Sequence, residues 1–306
     1  MEKSVNTSDY KIILHHFTSQ GLRCDGDLYL PSNVEKPPII IMAHGFGAEK
    51  WLRLPEYASF FASHGLAVFL FDYRCFGTSE GEPRIWVSPK RHIQDWHAAL
   101  DYVRNLQEIN SEKIALWGTS YSGGHVLMTG ADAQNISCIL AQVPFVDARS
   151  SMRRFGASFI IKGFFHTLWD ILKSTFGGKP HYIKIVGLPS EFAALNTPDA
   201  YEGVMKLVLP GHPFIDLTPA RCLMELTFYA PIKKVSKIKC PTMIMGSGTD
   251  TLIDIKAVEK TASLISNCEY IRYECGHFDI YLGELFNDSI QKQLNFFNKH
   301  LLGNLK

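Results

Sequence analysis

The feature that most constrains this chain is Ile39-Ile-Ile-Met-Ala43, a run that is apolar at every position and rich in β-branched side chains. A strand with one face in water alternates polar and apolar residues. A run without alternation reads as a strand buried on both faces, as in a parallel sheet covered by helices. The same kind of run recurs at 66–71, 113–117, 137–142, 242–245 and 269–273. Helical patterns lie between these runs. Ser88-Pro89 is a capping residue followed by proline at a first helical position. After it, Ile93, Trp96, Leu100, Val103 and Leu106 recur at spacings of three and four, as an amphipathic helix requires. Ahead of these elements, 10–16 and 24–30 read as two further strands joined through Ser19-Gln-Gly21. The order predicts a doubly wound α/β architecture with eight strands.

One stretch breaks the rhythm. Residues 147–239 show no alternation of strand and helix, only apolar and aromatic clusters (Phe155, Phe159, Phe164-Phe165, Leu168-Trp169) punctuated by Gly177-Gly178 and several prolines. The pattern predicts short helices inserted between two strands, and connections of that length usually carry function or structure of their own.

Charge and cysteine content exclude several other uses of such a chain. Lys plus Arg is 31 and Asp plus Glu is 30, a net charge of +1. Nucleic-acid binders carry a clear basic excess, so no nucleic-acid partner is expected. The seven cysteines are odd in number and widely spaced, which excludes a disulfide scaffold and a zinc ribbon. They are expected as small core residues. His15-His16 point to opposite faces of a strand and no acidic HxH or HxxxH site occurs, so no metal is expected. A P-loop and a GxGxxG are absent, and no cofactor is expected. The first residues, MEKSVNTSDYK, carry no apolar signal region, and every apolar run is far shorter than the ~20 residues that span a bilayer. The expectation is a cytoplasmic protein without a membrane span. A homodimer is compatible with the sequence, which is otherwise silent on oligomeric state.

Four motifs carry chemistry. Ile114-Ala-Leu-Trp-Gly118-Thr119-Ser120-Tyr121-Ser122-Gly123-Gly124-His125 runs a buried strand into Gly-x-Ser and a glycine-rich helix start. His44-Gly45-Phe46-Gly47 follows the first strongly apolar strand. Asp250 stands a few residues past the 242–245 run, and Gly276-His277-Phe278-Asp279 follows the last strand. Together these resemble the α/β-hydrolase superfamily, whose nucleophile elbow, oxyanion-hole loop, acid and histidine follow in this chain order. The usual elbow has glycine two residues after the serine, and here that position is Ser122. Within the superfamily the chain looks most like a bacterial branch described as dienelactone-hydrolase-like or serine-aminopeptidase-like, to which fungal polyketide acyltransferases are related. The segment beginning Pro180-His-Tyr-Ile-Lys and the ending Gly-His277-Phe-Asp-Ile-Tyr281 carry that likeness.

The resemblance implies an α/β-hydrolase fold: a mostly parallel eight-stranded sheet flanked by helices, with a helical cap inserted after the sixth strand. Residues 1–146 and 240–306 would form the catalytic core and 147–239 the cap. Ser120 would be the nucleophile of a serine esterase, His277 its base and Asp250 the orienting acid. Asp254 is the second candidate acid and Asp147 the third, while Asp279 is expected to cap the last helix. The backbone N–H groups of Phe46 and Tyr121 would form the oxyanion hole. His44 and the segment Asp72-Tyr-Arg74-Cys-Phe-Gly77-Thr-Ser79-Glu-Gly81 are read as structural. Phe155, Phe159, Phe164, Phe165 and Trp169 are candidates to line an acyl pocket, with a small-molecule ester or thioester as substrate. An acyltransferase or thioesterase with the same triad, and a peptidase or amidase, are the alternatives.

Overall fold

The computed structural model describes residues 5–153 and 155–303. The chain starts with β1 (Val5–Asn6), β2 (Tyr10–Ser19) and β3 (Leu22–Pro31). β2 and β3 pair antiparallel without a break from Tyr10↔Pro31 to Ser19↔Leu22. The turn between them is Gln20-Gly21, with φ of 50° and 79°. Two left-handed central residues give a turn whose twist matches that of the strands, and glycine at the second makes it cheap.

Strand and helix then alternate: β4 (Ile39–Ala43), α1 (Leu54–Ser63), β5 (Ala67–Phe71), α2 (Pro89–Val103), β6 (Ile114–Thr119), α3 (Tyr121–Asp132) and β7 (Cys138–Gln142). The long insertion holds α4 (Ala148–Met152), α5 (Ala157–Thr175), β8 (Tyr182–Val186), β9 (Ala193–Leu195), α6 (Ala200–Leu207), β10 (Thr218–Pro219) and α7 (Cys222–Thr227). The chain returns through β11 (Thr242–Ser247), α8 (Ile255–Ser263), β12 (Cys268–Tyr273) and α9 (Gly283–Phe297). The main sheet has the order β1-β2-β3-β5-β4-β6-β7-β11-β12. It is parallel from β5 to β12 and antiparallel on the β1–β3 side. The chain is an α/β-hydrolase fold. Every residue of β4, β5, β6 and β7 is buried, which is why those segments read as unbroken apolar runs. β7 and β11 are neighbours in register from Ile139↔Thr242 to Gln142↔Met245, so the insertion leaves and rejoins the sheet between adjacent strands.

Three features differ from the sequence expectation. The main sheet has a ninth strand, because the two residues of β1 add to its edge, a length too short to show any periodicity. The insertion is not purely helical: β10, β8 and β9 form a small sheet of their own. β8 is five residues long, β9 three and β10 two with a proline, so the signal lies below the length that patterning resolves. The helix expected to reach Leu106 ends at Val103, with Leu106 still packed partly buried against the core. All seven cysteines are free thiols, and five are buried. His15 and His16 face opposite ways, His15 to the Tyr102 hydroxyl at 2.7 Å and His16 to the Asp25 carboxylate at 2.7 Å.

A buried polar chain crosses beneath the carboxyl ends of the strands. The Trp117 indole N–H donates to the Gln293 side-chain oxygen at 2.7 Å, and the Gln293 amide donates to the Gln142 oxygen at 2.7 Å. The Gln142 amide donates in turn to the Tyr57 and Thr119 hydroxyls. The chain ties α1, β6, β7 and α9 into one unit, and no sequence pattern announces it. Gln293→Met removes a donor and an acceptor at once and strands the Trp117 N–H. An unsatisfied buried group costs about 1–3 kcal/mol, so urea unfolding should show a loss of about 2–4 kcal/mol with an unchanged fold by circular dichroism.

Candidate active site

Ser120 occupies the single residue between β6 and α3, with φ of 54° and ψ of −119°. A side-chain-bearing residue in that region is strained by about 1–3 kcal/mol and persists only where its surroundings over-determine it. Here they do. The Ser120 N–H donates to the Gln142 carbonyl at 2.9 Å, and the Phe145 N–H donates to the Ser120 carbonyl at 2.8 Å. The neighbours must be glycine because backbone closes around them. A Cβ on Gly118 would fall 2.3 Å from the Ser122 carbonyl oxygen, and one on Gly124 would fall 2.2 Å from that of Phe145. Ser122, the departure from the usual elbow, has a partner for its hydroxyl: Tyr73 OH at 2.9 Å, which also accepts from the Trp96 indole at 3.0 Å.

Two loops bring the histidine and the acid to the serine. His277, just past β12, has its Nε2 3.0 Å from Ser120 Oγ and its Nδ1 2.6 Å from Asp250 Oδ2. The other Asp250 oxygen accepts from the Leu252 and Ile253 N–H groups at 2.7 and 2.8 Å. The His277 and Asp250 side chains are only 2% and 3% exposed. With Nδ1–H donated to the carboxylate, Nε2 is the ring's acceptor and faces the serine hydroxyl. This arrangement can take a proton from Ser120 while the carboxylate holds the ring and offsets the charge it gains.

The competing acids are engaged elsewhere. Asp254 caps α8 by accepting from the Lys256 N–H, and Asp147 caps α4 by accepting from that of Arg149. Asp279 does not cap the last helix as expected. It accepts from the Gly276 N–H at 2.8 Å and so braces the loop that carries His277, while α9 has Leu282 at its N-cap and no side-chain cap. The reason is a short 3₁₀ turn over Asp279–Tyr281 that separates the two.

Phe46 and Tyr121 line the same cavity as Ser120. Among the described residues, neither N–H donates to a protein acceptor. Gly45 approaches Ser120 closely, its hydrogen standing where a Cβ would be 3.3 Å from Ser120 Cβ. His44 is buried, bonded through Nδ1 to the Gly45 carbonyl at 3.1 Å, with Nε2 3.4 Å from Asp72. Burial pushes the His44 ring down to about 3, so it is neutral, and pushes the Asp72 carboxyl up to about 7 against the opposing pull of Lys50. In the following loop, Gly77 sits where a Cβ would collide with Asp72, and Arg74 reaches the buried Asp95 at 2.5 Å. These groups hold loops and do not face the cavity.

The cavity has a volume of about 360 Å³ and opens on Ser120. Among the described residues, no Asp, Glu, Lys or Arg lines it. Phe155 and Phe159, stacked at 4.3 Å, and Phe164 are on its wall. Phe165 and Trp169 are not: they point outward, 62% and 55% exposed, with the Lys173 ammonium 5.9 Å above the Trp169 ring. One turn of helix separates inside from outside here, and an apolar residue on α5 gives no sign of which side it takes. Sequence reasoning missed the rest of the wall, including Leu195, Leu223, Leu226 and Leu252, which come from scattered elements. Among the described residues no group of three His, Cys, Asp or Glu side chains is placed to hold a metal ion. Among them, too, no helix is long and apolar enough to cross a membrane.

Comparison with known proteins agrees with this fold. The model of the X-Pro dipeptidyl-peptidase (S15) family matches residues 20–178. The chain is 34% identical over 299 residues to the quorum-quenching protein AidA of Acinetobacter baumannii, covering 98% of each. It is 27% identical over 291 residues to the polyketide transferase af380 of Aspergillus fumigatus, covering 93% of this chain and 96% of that one. Among solved structures it is similar to the α/β-hydrolase GrgF of Penicillium sp. sh18, with a TM-score of 0.80 at 22% identity, covering 94% and 98% of the two chains.

The elbow's packing makes a contrast that can be measured. Gly118→Ala drives a methyl into backbone and should lower unfolding free energy by about 1–3 kcal/mol. Ser122→Gly removes one hydrogen bond from a tyrosine that keeps another, and should lower it by only about 1 kcal/mol. Denaturant melts of the two variants check the order.

Proposed function

We propose, from the premise that this chain belongs to the X-Pro dipeptidyl-peptidase (S15) family and is a hydrolase of the α/β type, that it cleaves carboxylic esters or thioesters through an acyl-enzyme on Ser120. The observation that carries this reading is the contact chain Asp250–His277–Ser120 opening on a cavity whose described lining is apolar and without charged side chains.

The steps follow from the contacts. Ser120 Oγ attacks the carbonyl carbon while His277 Nε2 takes the hydroxyl proton, and Asp250 stabilises the imidazolium. The carbonyl oxygen becomes an oxyanion and is received by the N–H groups of Phe46 and Tyr121, donors fixed before the reaction starts. His277 then returns the proton to the leaving alkoxide or thiolate as the bond to the acyl carbon breaks. The same residues run the sequence in reverse with water, releasing the carboxylic acid and restoring Ser120. In this reading residues 147–239 act as a cap on the core formed by 1–146 and 240–306, and the wall they supply (Phe155, Phe159, Phe164) receives the acyl group. A peptidase of free N-termini needs a carboxylate facing the substrate amine. The cavity has none, and Glu191, in the same insertion, is bonded to Lys184.

A second reading, transfer of the acyl group to an acceptor other than water, is favoured by the likeness to a polyketide transferase. The two differ only in what attacks the acyl-enzyme.

The first expected outcome is covalent labelling by a fluorophosphonate and turnover of nitrophenyl esters. Absent labelling of the wild type, or equal labelling of Ser120→Ala, would sink the proposal, and turnover of aminoacyl-naphthylamides would favour the peptidase. A competing alcohol decides the acceptor, since a hydrolase continues to yield only acid. The second outcome separates the acids. Asp250→Asn should lower kcat by roughly 10³–10⁴ by presenting the wrong partner to the imidazole, while Asp254→Asn and Asp147→Asn should stay within about threefold, because neither touches His277.

A further inference from the structure

Helix α5 is apolar on two sides that do different things. Gly163, Thr167 and Asp170 form its buried seam, where Thr167 bonds the Ala220 carbonyl and Asp170 is bonded to Arg221. Ile160, Phe164 and Leu168 line the cavity and are also exposed at its rim. Next to them, at spacings of three and four, Ile161, Phe165, Trp169, Leu172 and Phe176 form a continuous exposed stripe. Phe165 is 62% exposed and Phe176 85%. Scattered exposed apolar residues need no explanation, but a contiguous stripe continuous with a cavity rim does.

Charge says what covers it. Between residues 148 and 183 the sequence carries six Lys and Arg residues and one acid, Asp170, in a chain whose whole net charge is +1. Asp170 is buried and bonded to Arg221, so it neutralises none of the six. Lys162 and Lys173 lie along one flank of the stripe and Lys179 follows its end. A second copy docked on this face would set like charges against like, because an isologous contact places a patch against itself. An aromatic-rich apolar stripe with lysines alongside, whose stems can lie on the apolar surface, is the pattern of a helix resting in a lipid interface.

We infer that the outer face of α5 docks on an anionic lipid surface, with Phe165, Trp169 and Leu172 entering the headgroup boundary and Lys162 and Lys173 meeting the lipid charge. The cavity rim then faces the surface, so an amphiphile can pass from it along Ile160 and Phe164 without crossing water. The helix lies on the membrane and does not span it.

Vesicle co-sedimentation of the full chain tests this. Wild type should bind vesicles of phosphatidylglycerol and phosphatidylcholine at low salt, bind pure phosphatidylcholine far less, and release as salt rises. The triple variant Phe165→Ser, Trp169→Ser, Leu172→Ser should lose the binding. Lys162→Glu with Lys173→Glu should weaken it by roughly thirtyfold at least, from about 1 kcal/mol for each lysine removed. Both variants alter exposed side chains and should keep the wild-type circular dichroism and melting temperature. Wild type that ignores anionic vesicles at low salt overturns the inference, as does a triple variant that binds as well as wild type. A concentration-dependent dimer that the triple variant abolishes, without vesicle binding, also overturns it and assigns the stripe to a second copy.

Discussion

The left-handed backbone of Ser120 is the constraint on which the rest of this site depends. A serine at φ of 54° holds its hydroxyl clear of both the strand before it and the helix after it. That conformation is unfavourable in isolation, so the surroundings must supply what the residue lacks. They do so by closeness: Gly118, Gly123 and Gly124 let backbone approach to distances at which any Cβ would collide. The hydrogen bonds to Gln142 and from Phe145 then leave the serine one position. The same Gln142 belongs to the buried polar chain through Gln293 and Trp117. The strain at the serine is thus held by a network that reaches the last helix, and weakening the network loosens the site without touching it.

The parallel sheet and the convergence of Ser120, His277 and Asp250 were legible because their local motifs follow short-range rules. Strands buried on two faces are apolar over most of their length, and β4 to β7 are, with only Thr119 and Gln142 polar at their carboxyl ends. A serine on a strained turn needs small neighbours, and Gly118, Ser122 and Gly123 provide them. Asp250 was separable from Asp254 in sequence only by family likeness, and in space by the 2.6 Å contact to His277 against a helix cap. What was not legible depends on length or on direction. β1, β9 and β10 are too short for a period, so the insertion read as helices alone. Trp169 and Phe164 are five residues apart on one apolar helix, yet one faces water and the other the cavity. Which of them turns inward is decided by Gly163 and Thr167 on the seam, not by anything apolar about either ring.

That seam also explains how one helix carries two apolar faces. A helix normally spends its hydrophobic side on the core. In α5 the core side is made of small and polar residues, Gly163, Thr167 and the Asp170–Arg221 pair, so the large side chains are displaced to the cavity and to the outside. Removing one partner of a buried ion pair is strongly destabilising. The Asp170 carboxylate also accepts from the N–H groups of His181 and Arg221, so it anchors the small sheet and α7 together with the helix. Its charge holds the helix down where its greasy residues do not.

The insertion does more than wall the cavity, because it touches both loops that bring charge to Ser120. The Asp199 carboxylate, at the start of α6, accepts from the Thr251 hydroxyl, and Thr251 follows Asp250 directly. On the same helix Gly203 has no side chain because the Phe278 ring fills the space, its nearest carbon 2.1 Å from where a Cβ would stand, and Phe278 follows His277. The acid and the histidine are therefore each one residue away from a contact with α6. A shift of α6 therefore reaches the loops that carry Asp250 and His277, and the tolerance there is small, since a hydrogen bond weakens within a few tenths of an ångström of its optimum. The insertion that supplies wall to the cavity thus also braces the loops of Asp250 and His277. Variation in this insertion that preserves the contacts of Asp199 and Gly203 can change what the cavity holds, and variation that breaks them changes the site itself.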